Sequence, residues 1–140
     1  MRTKLDYPLF EKLRSLDLDP NGFVVGCSAT LYIYEITNKI HDLDIVVGSK
    51  IWNEIIKTNK PKTSIFGDEM ICLYDREIEL FNRLFSSQKT AEELIAQSVT
   101  IDGIKFIDLN TTREMYVRMN RPKDLEKIKL IDKYLINLGK

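Results

Sequence analysis

Two stretches decide the fold of this chain: Val24-Val25-Gly26-Cys27-Ser28-Ala29 and, further along, Asp42-Leu43-Asp44-Ile45-Val46-Val47. The first has the pattern of a short apolar strand that stops at a glycine and leads into a helix, expected over residues 28–36. The second is β-branched and apolar, as a buried strand is, yet it carries two aspartates at alternate positions. Two acids in a core strand demand a compensating partner.

The paired aspartates indicate a metal site. Residues two apart on a strand share a face, so Asp42 and Asp44 lie with their Cα atoms about 6.5 to 7 Å apart. Carboxylates this close repel each other, and burial removes their hydration, so without a cation at least one pKa should rise. Mg²⁺ or Mn²⁺ resolves the conflict, because Mg²⁺ takes hard oxygen ligands and shares its shell with substrate phosphates. Asp17-Leu18-Asp19 has the same spacing, but it precedes Pro20-Asn21-Gly22, and a solvated turn explains it.

Gly26-Cys27-Ser28 lies where the strand passes into the helix. N–H groups at a helix start can bind phosphate oxygens, and glycine permits a close approach. Alone, such a segment is more often a simple strand-to-helix turn. Together with Asp42-Leu43-Asp44 it favours phosphate binding, and Ser28 is also expected to cap the helix.

These segments, joined by a helix, resemble the signature of the DNA polymerase β-like nucleotidyltransferase superfamily. That signature is apolar-Gly-Gly/Ser, a short helix, and Asp-apolar-Asp/Glu-apolar, and Cys27 stands here in place of its second small residue. The resemblance implies a third carboxylate on a later strand. Glu79, in Ile78-Glu79-Leu80-Phe81, is the best match, and Glu77 is the fallback.

The resemblance also implies a reaction: transfer of a nucleoside monophosphate from a nucleoside triphosphate (NTP) to an unidentified acceptor, with release of pyrophosphate. Two Mg²⁺ ions would be held by Asp42, Asp44 and Glu79, and Glu79 would receive the acceptor's proton. The backbone at Gly26 and Ser28 would cradle the β and γ phosphates. The acceptor class, which includes protein, RNA and small molecules, stays open.

The segment Arg121-Pro122-Lys123-Asp124-Leu125 is similar to the Arg-x-Lys-Asp segment of the branch that contains abortive-infection nucleotidyltransferase toxins and their small relatives. That similarity implies that Lys123 contacts phosphates and that Asp124 assists it. The alternative is an ordinary helix start, in which Asp124 favours the helix dipole and Lys123 is solvated. Lys127 stands where relatives of this branch often carry another acid.

Composition favours one soluble domain over residues 1–140. The chain is 44% apolar, and its 21 Lys and Arg balance 21 Asp and Glu, so no net field attracts nucleic acid or a membrane. Its two cysteines, Cys27 and Cys72, are far apart, which argues against a disulfide framework and fits a reducing cytoplasm. No stretch approaches the length of a signal peptide core or a membrane span, so we expect no membrane partner.

The expected fold is α+β, a small mixed sheet flanked by helices, with a helical C-terminus. Short strands are expected at residues 64–66, 70–74 and 78–81, and Asp102-Gly103 predicts a hairpin. Thr90 with Glu93 and Thr111 with Glu114 predict two capping boxes, and Pro122 marks the first turn of the last helix.

A second hypothesis is a catalytically inactive module of the same fold that binds a nucleotide or a partner protein, as in a toxin–antitoxin pair. The small size and the residues Cys27 and Lys127 motivate it, and association with a partner or as a homo-oligomer is open. His41, Tyr32, Tyr34 and Trp52 have side chains that could serve a nucleotide site. Their contexts favour structural roles, so none is assigned.

Overall fold

The computed structural model describes residues 1–84 and 86–139. Its helices and strands follow one another as α1 (Pro8–Ser15), β1 (Phe23–Gly26), α2 (Ser28–Ile33), β2 (Leu43–Val47), α3 (Ser49–Ile55), β3 (Lys62–Thr63), β4 (Glu69–Leu73), β5 (Ile78–Phe81), α4 (Ala91–Ala96), β6 (Val99–Ile101), β7 (Ile104–Phe106), α5 (Leu109–Met119) and α6 (Pro122–Leu138). Among these residues, no helix is both long and apolar enough to cross a membrane.

The strands form one mixed sheet of seven in the order β3-β4-β5-β2-β1-β7-β6. β2 lies at its centre, antiparallel to β1 and parallel to β5. β1 is parallel to β7, and the hairpins β3-β4, β4-β5 and β6-β7 are antiparallel. The expected α+β fold, with a mixed sheet and a helical C-terminus, is confirmed.

The alternation of side chains along β2 separates two faces. Leu43, Ile45 and Val47 are fully buried in the larger core, which also contains Phe10 of α1 and Phe106 of β7. The next residues along the strand therefore point the other way, toward the face that carries the acids.

The second face has its own apolar cluster. Val24 of β1, Val46 of β2 and Phe81 of β5 pack there against Ile107 and Met115. Because Asp44 is two residues from Val46, it emerges on this face beside the cluster.

The C-terminal helices cover part of the same side of the molecule. Leu31 of α2 packs with Leu109 and Tyr116 of α5 and with Ile131 of α6. Between α5 and α6, Asn120 adopts a left-handed conformation, with φ 52°, which lets the chain reverse over very few residues. The beginning of α6 is thereby held near the sheet.

Some local predictions are confirmed. Thr90 and Glu93 form the expected capping box, in which each residue's side chain accepts a hydrogen bond from the other's backbone N–H. Asp102 and Gly103 turn the β6-β7 hairpin with φ 50° and 78°, and Pro122 is the first residue of α6.

Other local predictions are wrong. Residues 64–66 form a turn, because the Ser64 hydroxyl accepts hydrogen bonds from the backbone N–H groups of Phe66 and Asp68. Helix α5 begins before Thr111, with Asp108 as its N-cap, since the Asp108 carboxylate accepts a hydrogen bond from the Thr111 N–H at 3.1 Å. Ser28 is the first residue of α2 and does not cap it.

Gly26, at the end of β1, is required by packing. A Cβ built on it would lie 2.5 Å from Cδ1 of Ile107, whose side chain is fully buried. In the sheet, Gly26 is the register partner of Asp44, so this close contact supports the strand that carries the acid.

We expect Gly26→Ala to lower the free energy of unfolding by about 1–3 kcal/mol, because the added methyl group must displace Ile107. Ile107→Val alone should cost about 1 kcal/mol. The double variant should lose less stability than the two single variants together, because valine lacks the Cδ1 that the added methyl group would meet. Urea unfolding followed by circular dichroism measures all three, and additivity within about 0.5 kcal/mol would contradict the contact.

Candidate active site

Three carboxylates meet on the second face of the sheet. Asp42 precedes β2, Asp44 lies within it, and Glu79 lies in β5, where it is the register partner of Asp44. One carboxylate oxygen from each residue lies within 4.8 Å of the other two. The parallel pairing of β2 with β5 therefore brings together residues that are far apart in sequence.

The pKa of Asp44 is raised in this arrangement. Burial, followed by the charges of Asp42 and Glu79, raises the pKa of its carboxyl to about 7. Arg121 and Lys127 act in the opposite direction but do not offset these effects. The expected pKa increase of one member of the pair is confirmed, and Asp44 is that member.

Glu79 has two neighbours besides the aspartates. Nη2 of Arg76 lies 3.6 Å from Oε2 of Glu79, and the Cys72 thiol, on the neighbouring strand, lies 3.8 Å from the same oxygen. The fallback residue Glu77 forms an ion pair with Lys12 of α1 instead. The geometry thus groups Glu79, and not Glu77, with the aspartates.

The turn from β1 to α2 borders the acids. Cys27 has φ 57° and ψ −118°, a backbone conformation that glycine adopts far more easily, which explains why a small residue suits this position. Burial is the main cause that raises the pKa of the Cys27 thiol well above its usual range. The thiol is therefore neutral at physiological pH.

The start of α6 is fixed by an ion pair. Asp124 is only 1% exposed. Its carboxylate accepts hydrogen bonds from Nε of Arg121 at 2.6 Å, from Nη2 at 3.0 Å and from the Arg121 backbone N–H at 3.0 Å. Both oxygens of Asp124 are thus engaged, whereas Lys123 is exposed.

A cavity of about 530 Å³ contains the acids and the residues around them. Its wall combines the sheet, the β1-α2 turn, the β3-β4 turn and the C-terminal helices. Among the residues that line it are Cys27, Ser28, His41, Asp42, Asp44, Phe66, Arg76, Glu79, Tyr116, Arg121, Lys123, Asp124 and Lys127. Ser28, Lys123 and Asp124, which the sequence assigned to the nucleotide, therefore share one cavity with the three acids.

A second cavity, of about 520 Å³, adjoins the first and shares Phe66, Asp68 and Leu84 with it. Trp52 and Arg118 line this neighbouring space, which contains none of the three acids. Trp52 is buried in the larger core, as its apolar helix predicted.

Tyr32 and Tyr34, which also have no assigned role, do not line the cavity. Tyr32 is buried under the guanidinium of Arg2, whose carbon lies 3.9 Å from the ring centroid. Tyr34 packs edge-on against Tyr134. His41 is exposed at the rim of the cavity.

Sequence reasoning missed several residues of the cavity wall. Tyr116 and Arg76 belong to no motif, and Phe66 was placed in a strand. In the structure the Phe66 ring lies in the β3-β4 turn, and the Arg121 guanidinium carbon is 5.1 Å from its centroid. Lys127 was noted only because related proteins often carry an acid at its position. Its place one helical turn beyond Lys123, on the same side of the helix, was not used.

The three acids fit a divalent cation. Their oxygens are close enough to share one, and their mutual repulsion, evident in the raised pKa of Asp44, is the conflict that a cation relieves. An all-carboxylate set suits a hard ion such as Mg²⁺ or Mn²⁺ rather than a thiophilic one. The structure thus brings together three carboxylates that could hold a divalent cation.

Comparison with known proteins supports the fold. The chain is similar to the crystal structure of a proposed nucleotidyltransferase from Thermotoga maritima, with a TM-score of 0.58 and 18% identity over 97% of this chain and 98% of that one. No family of known proteins and no curated protein matches the chain. The chain therefore has a nucleotidyltransferase-like fold.

Without metal, we expect stability to fall between about pH 4 and pH 7. In this range the carboxyl of Asp44 is ionised in the unfolded chain but still holds its proton in the folded protein. Folding therefore takes up a proton, and the free energy of unfolding falls as pH rises. Above pH 7 the penalty is complete, about 4 kcal/mol. Asp44→Asn removes it, so in EDTA its Tm should exceed that of the wild type more at pH 8 than at pH 5. An equal difference at both pH values would show that Asp44 titrates normally.

We also expect Asp124→Asn to destabilise the protein by about 2–4 kcal/mol, because it leaves Arg121 without its buried counter-charge. Glu126→Gln is the matched control: Glu126 lies on the same helix, is exposed, and forms only a surface pair with Lys129 at 3.4 Å. That control should change stability by less than about 0.5 kcal/mol. Chemical denaturation of the two variants compares them directly.

Proposed function

We propose that this protein is a metal-dependent nucleotidyltransferase that transfers a nucleoside monophosphate from an NTP to an acceptor hydroxyl. The observation that supports it best is the cluster of Asp42, Asp44 and Glu79 in a cavity that cationic side chains also line. A triphosphate needs both, since metal ions bridge its oxygens and cations neutralise the rest of its charge.

In this proposal Asp42, Asp44 and Glu79 hold Mg²⁺ or Mn²⁺. When bound, the metal supplies Lewis-acid stabilisation of the negative charge that develops on the phosphate oxygens. The chain's own contribution is to keep the three carboxylates rigid, because β2 and β5 are central strands with buried flanking residues. The ligands are thus positioned before substrate arrives.

The proposed chemistry is one displacement at the α-phosphorus. The acceptor oxygen forms a bond to that phosphorus, the bond to the oxygen bridging the α and β phosphates breaks, and pyrophosphate leaves. Glu79 accepts the proton that the acceptor hydroxyl loses. Glu79 is available for this role because it lines the cavity.

The phosphates are proposed to lie along the β1-α2 turn. Gly26 and Ser28 would contact them through their backbone N–H groups, and Lys123 would supply positive charge from α6. Asp124 would act indirectly, since its oxygens bind Arg121 and so fix the start of the helix that carries Lys123. This arrangement is the one that the toxin-branch segment Arg121–Leu125 implies.

The test is calorimetric titration of each of the four ribonucleoside triphosphates, with Mg²⁺, into wild type and into Asp42→Asn/Asp44→Asn. We expect at least one triphosphate to bind the wild type and its affinity to fall at least about tenfold in the double variant, because the variant loses two metal ligands. Release of pyrophosphate, measured with candidate acceptors of protein, RNA and small-molecule classes, should likewise disappear.

Asp17→Asn is the matched control, because Asp17 belongs to the other Asp-x-Asp pair and is exposed. It should bind nucleotide as the wild type does. Equal nucleotide affinity in wild type and the double variant would favour the inactive module, which binds without these carboxylates. If the wild type binds no triphosphate, the assignment as a nucleotidyltransferase is wrong.

A further inference from the structure

Tyr116 has a buried hydroxyl with no hydrogen-bond partner among residues 1–84 and 86–139. The residue is 3% exposed, and its ring packs in the cluster between α2, α5 and α6. It also lines the cavity of the three acids. A buried polar atom left unpaired is costly, and such atoms in native proteins usually have a partner.

The other buried side-chain oxygens without a hydrogen bond in residues 1–84 and 86–139 belong to Thr37 and Asp108. Neither residue lines the cavity, and the second oxygen of Asp108 already caps α5. Tyr116 alone among these combines an unpaired polar atom with a position in the cavity wall. This combination indicates that its partner is a ligand of the cavity.

Lys127 lies beside Tyr116. Its Nζ is 5.6 Å from the centroid of the Tyr116 ring, the side chain is half-buried, and it lines the same cavity. Its charge is felt at Asp44 and at Cys27, the residue of the β1-α2 turn. The ammonium is therefore near enough to the acids and to that turn to act on both electrostatically.

Arg121 does not replace Lys127, because its guanidinium already binds the buried carboxylate of Asp124. Lys127 has no such ion pair among the described residues. It therefore remains free to compensate the charge of an anionic ligand.

We propose that the Tyr116 hydroxyl and the Lys127 ammonium form a phosphate-binding pair for the triphosphate tail of the substrate. The inference rests on the proposed function and adds two positioning residues from the C-terminal helices to it. The protonated hydroxyl and the ammonium can both donate hydrogen bonds, and phosphate oxygens are acceptors. Burial raises the pKa of Tyr116, so the hydroxyl keeps its proton at physiological pH.

The two residues differ in their expected effect on the metal alone. Lys127 lies close enough to Asp44 to disfavour a cation there, and a bound triphosphate removes that conflict. Lys127→Gln should therefore bind Mn²⁺ alone about threefold more tightly, yet bind Mg²⁺-tripolyphosphate about tenfold more weakly. A change of opposite sign for the two probes is not expected from a structural defect.

Tyr116→Phe removes one oxygen atom and nothing else. Its Tm without ligand should equal or exceed that of the wild type, because an unpaired buried hydroxyl contributes no stability. Its affinity for Mg²⁺-tripolyphosphate and for Mg²⁺-ATP should fall by the same factor, about tenfold, while Mn²⁺ alone binds unchanged.

The matched controls are Tyr34→Phe, a half-buried tyrosine against Tyr134, and Lys133→Gln, an exposed lysine of α6. Both should bind every probe as the wild type does. Calorimetry with Mn²⁺, Mg²⁺-tripolyphosphate and Mg²⁺-ATP on all five proteins completes the experiment.

The outcomes separate this inference from the proposed function. If the wild type binds tripolyphosphate or ATP, and Tyr116→Phe and Lys127→Gln bind them equally well, the pair is wrong while the nucleotidyltransferase stands. Weakened ATP with unchanged tripolyphosphate would overturn the phosphate assignment in favour of a nucleoside contact. A wild type that binds neither tripolyphosphate nor any NTP overturns both.

Discussion

The parallel pairing of β2 with β5 is the constraint on which the site depends. It sets Asp44 beside Glu79, and the alternation of the strand adds Asp42 on the same face. Burial of Asp44 and the nearby charges of Asp42 and Glu79 raise its pKa, so the ionised cluster destabilises the metal-free protein. Such a cluster is stable only because the opposite face of β2 is anchored in the larger core by Leu43, Ile45 and Val47. Apolar burial on one face of β2 thus compensates for the repulsion between carboxylates on the other face.

The acids could be predicted from sequence because their signal is local. Asp42 and Asp44 alternate with apolar residues, and Glu79 is a single acid between the apolar residues of β5. Each of these patterns predicts an acidic side chain on one face of the sheet. The pairing of β2 with β5 is what brings Glu79 to the two aspartates. This grouping could be predicted only from the resemblance to a known superfamily. Tyr116 and Lys127 carry no comparable signal. They lie on helices whose docking against the sheet depends on tertiary packing, which no short window of sequence describes.

The errors in local structure have a common physical origin. Small polar side chains can bond to several nearby backbone groups, so one residue type serves as a helix cap, a turn former or neither. Asp108 is the N-cap of α5, a role that the sequence pattern gave to Thr111. The Ser64 hydroxyl stabilises a turn where a strand was expected. These shifts move element boundaries by a few residues. They leave the sheet order and the position of the acids unchanged.

The ion pair between Arg121 and Asp124 has a consequence for selectivity. The three acids of the cluster are held by the sheet, whereas Lys123 and Lys127 belong to α6, whose first turn this pair holds in place. The charge balance of the cavity therefore depends in part on how α6 docks against the sheet. A displacement of α6 would move two lysines away from the three acids of the cluster and leave those acids where they are. The interface between helix and sheet thus acts as the adjustable element of the site.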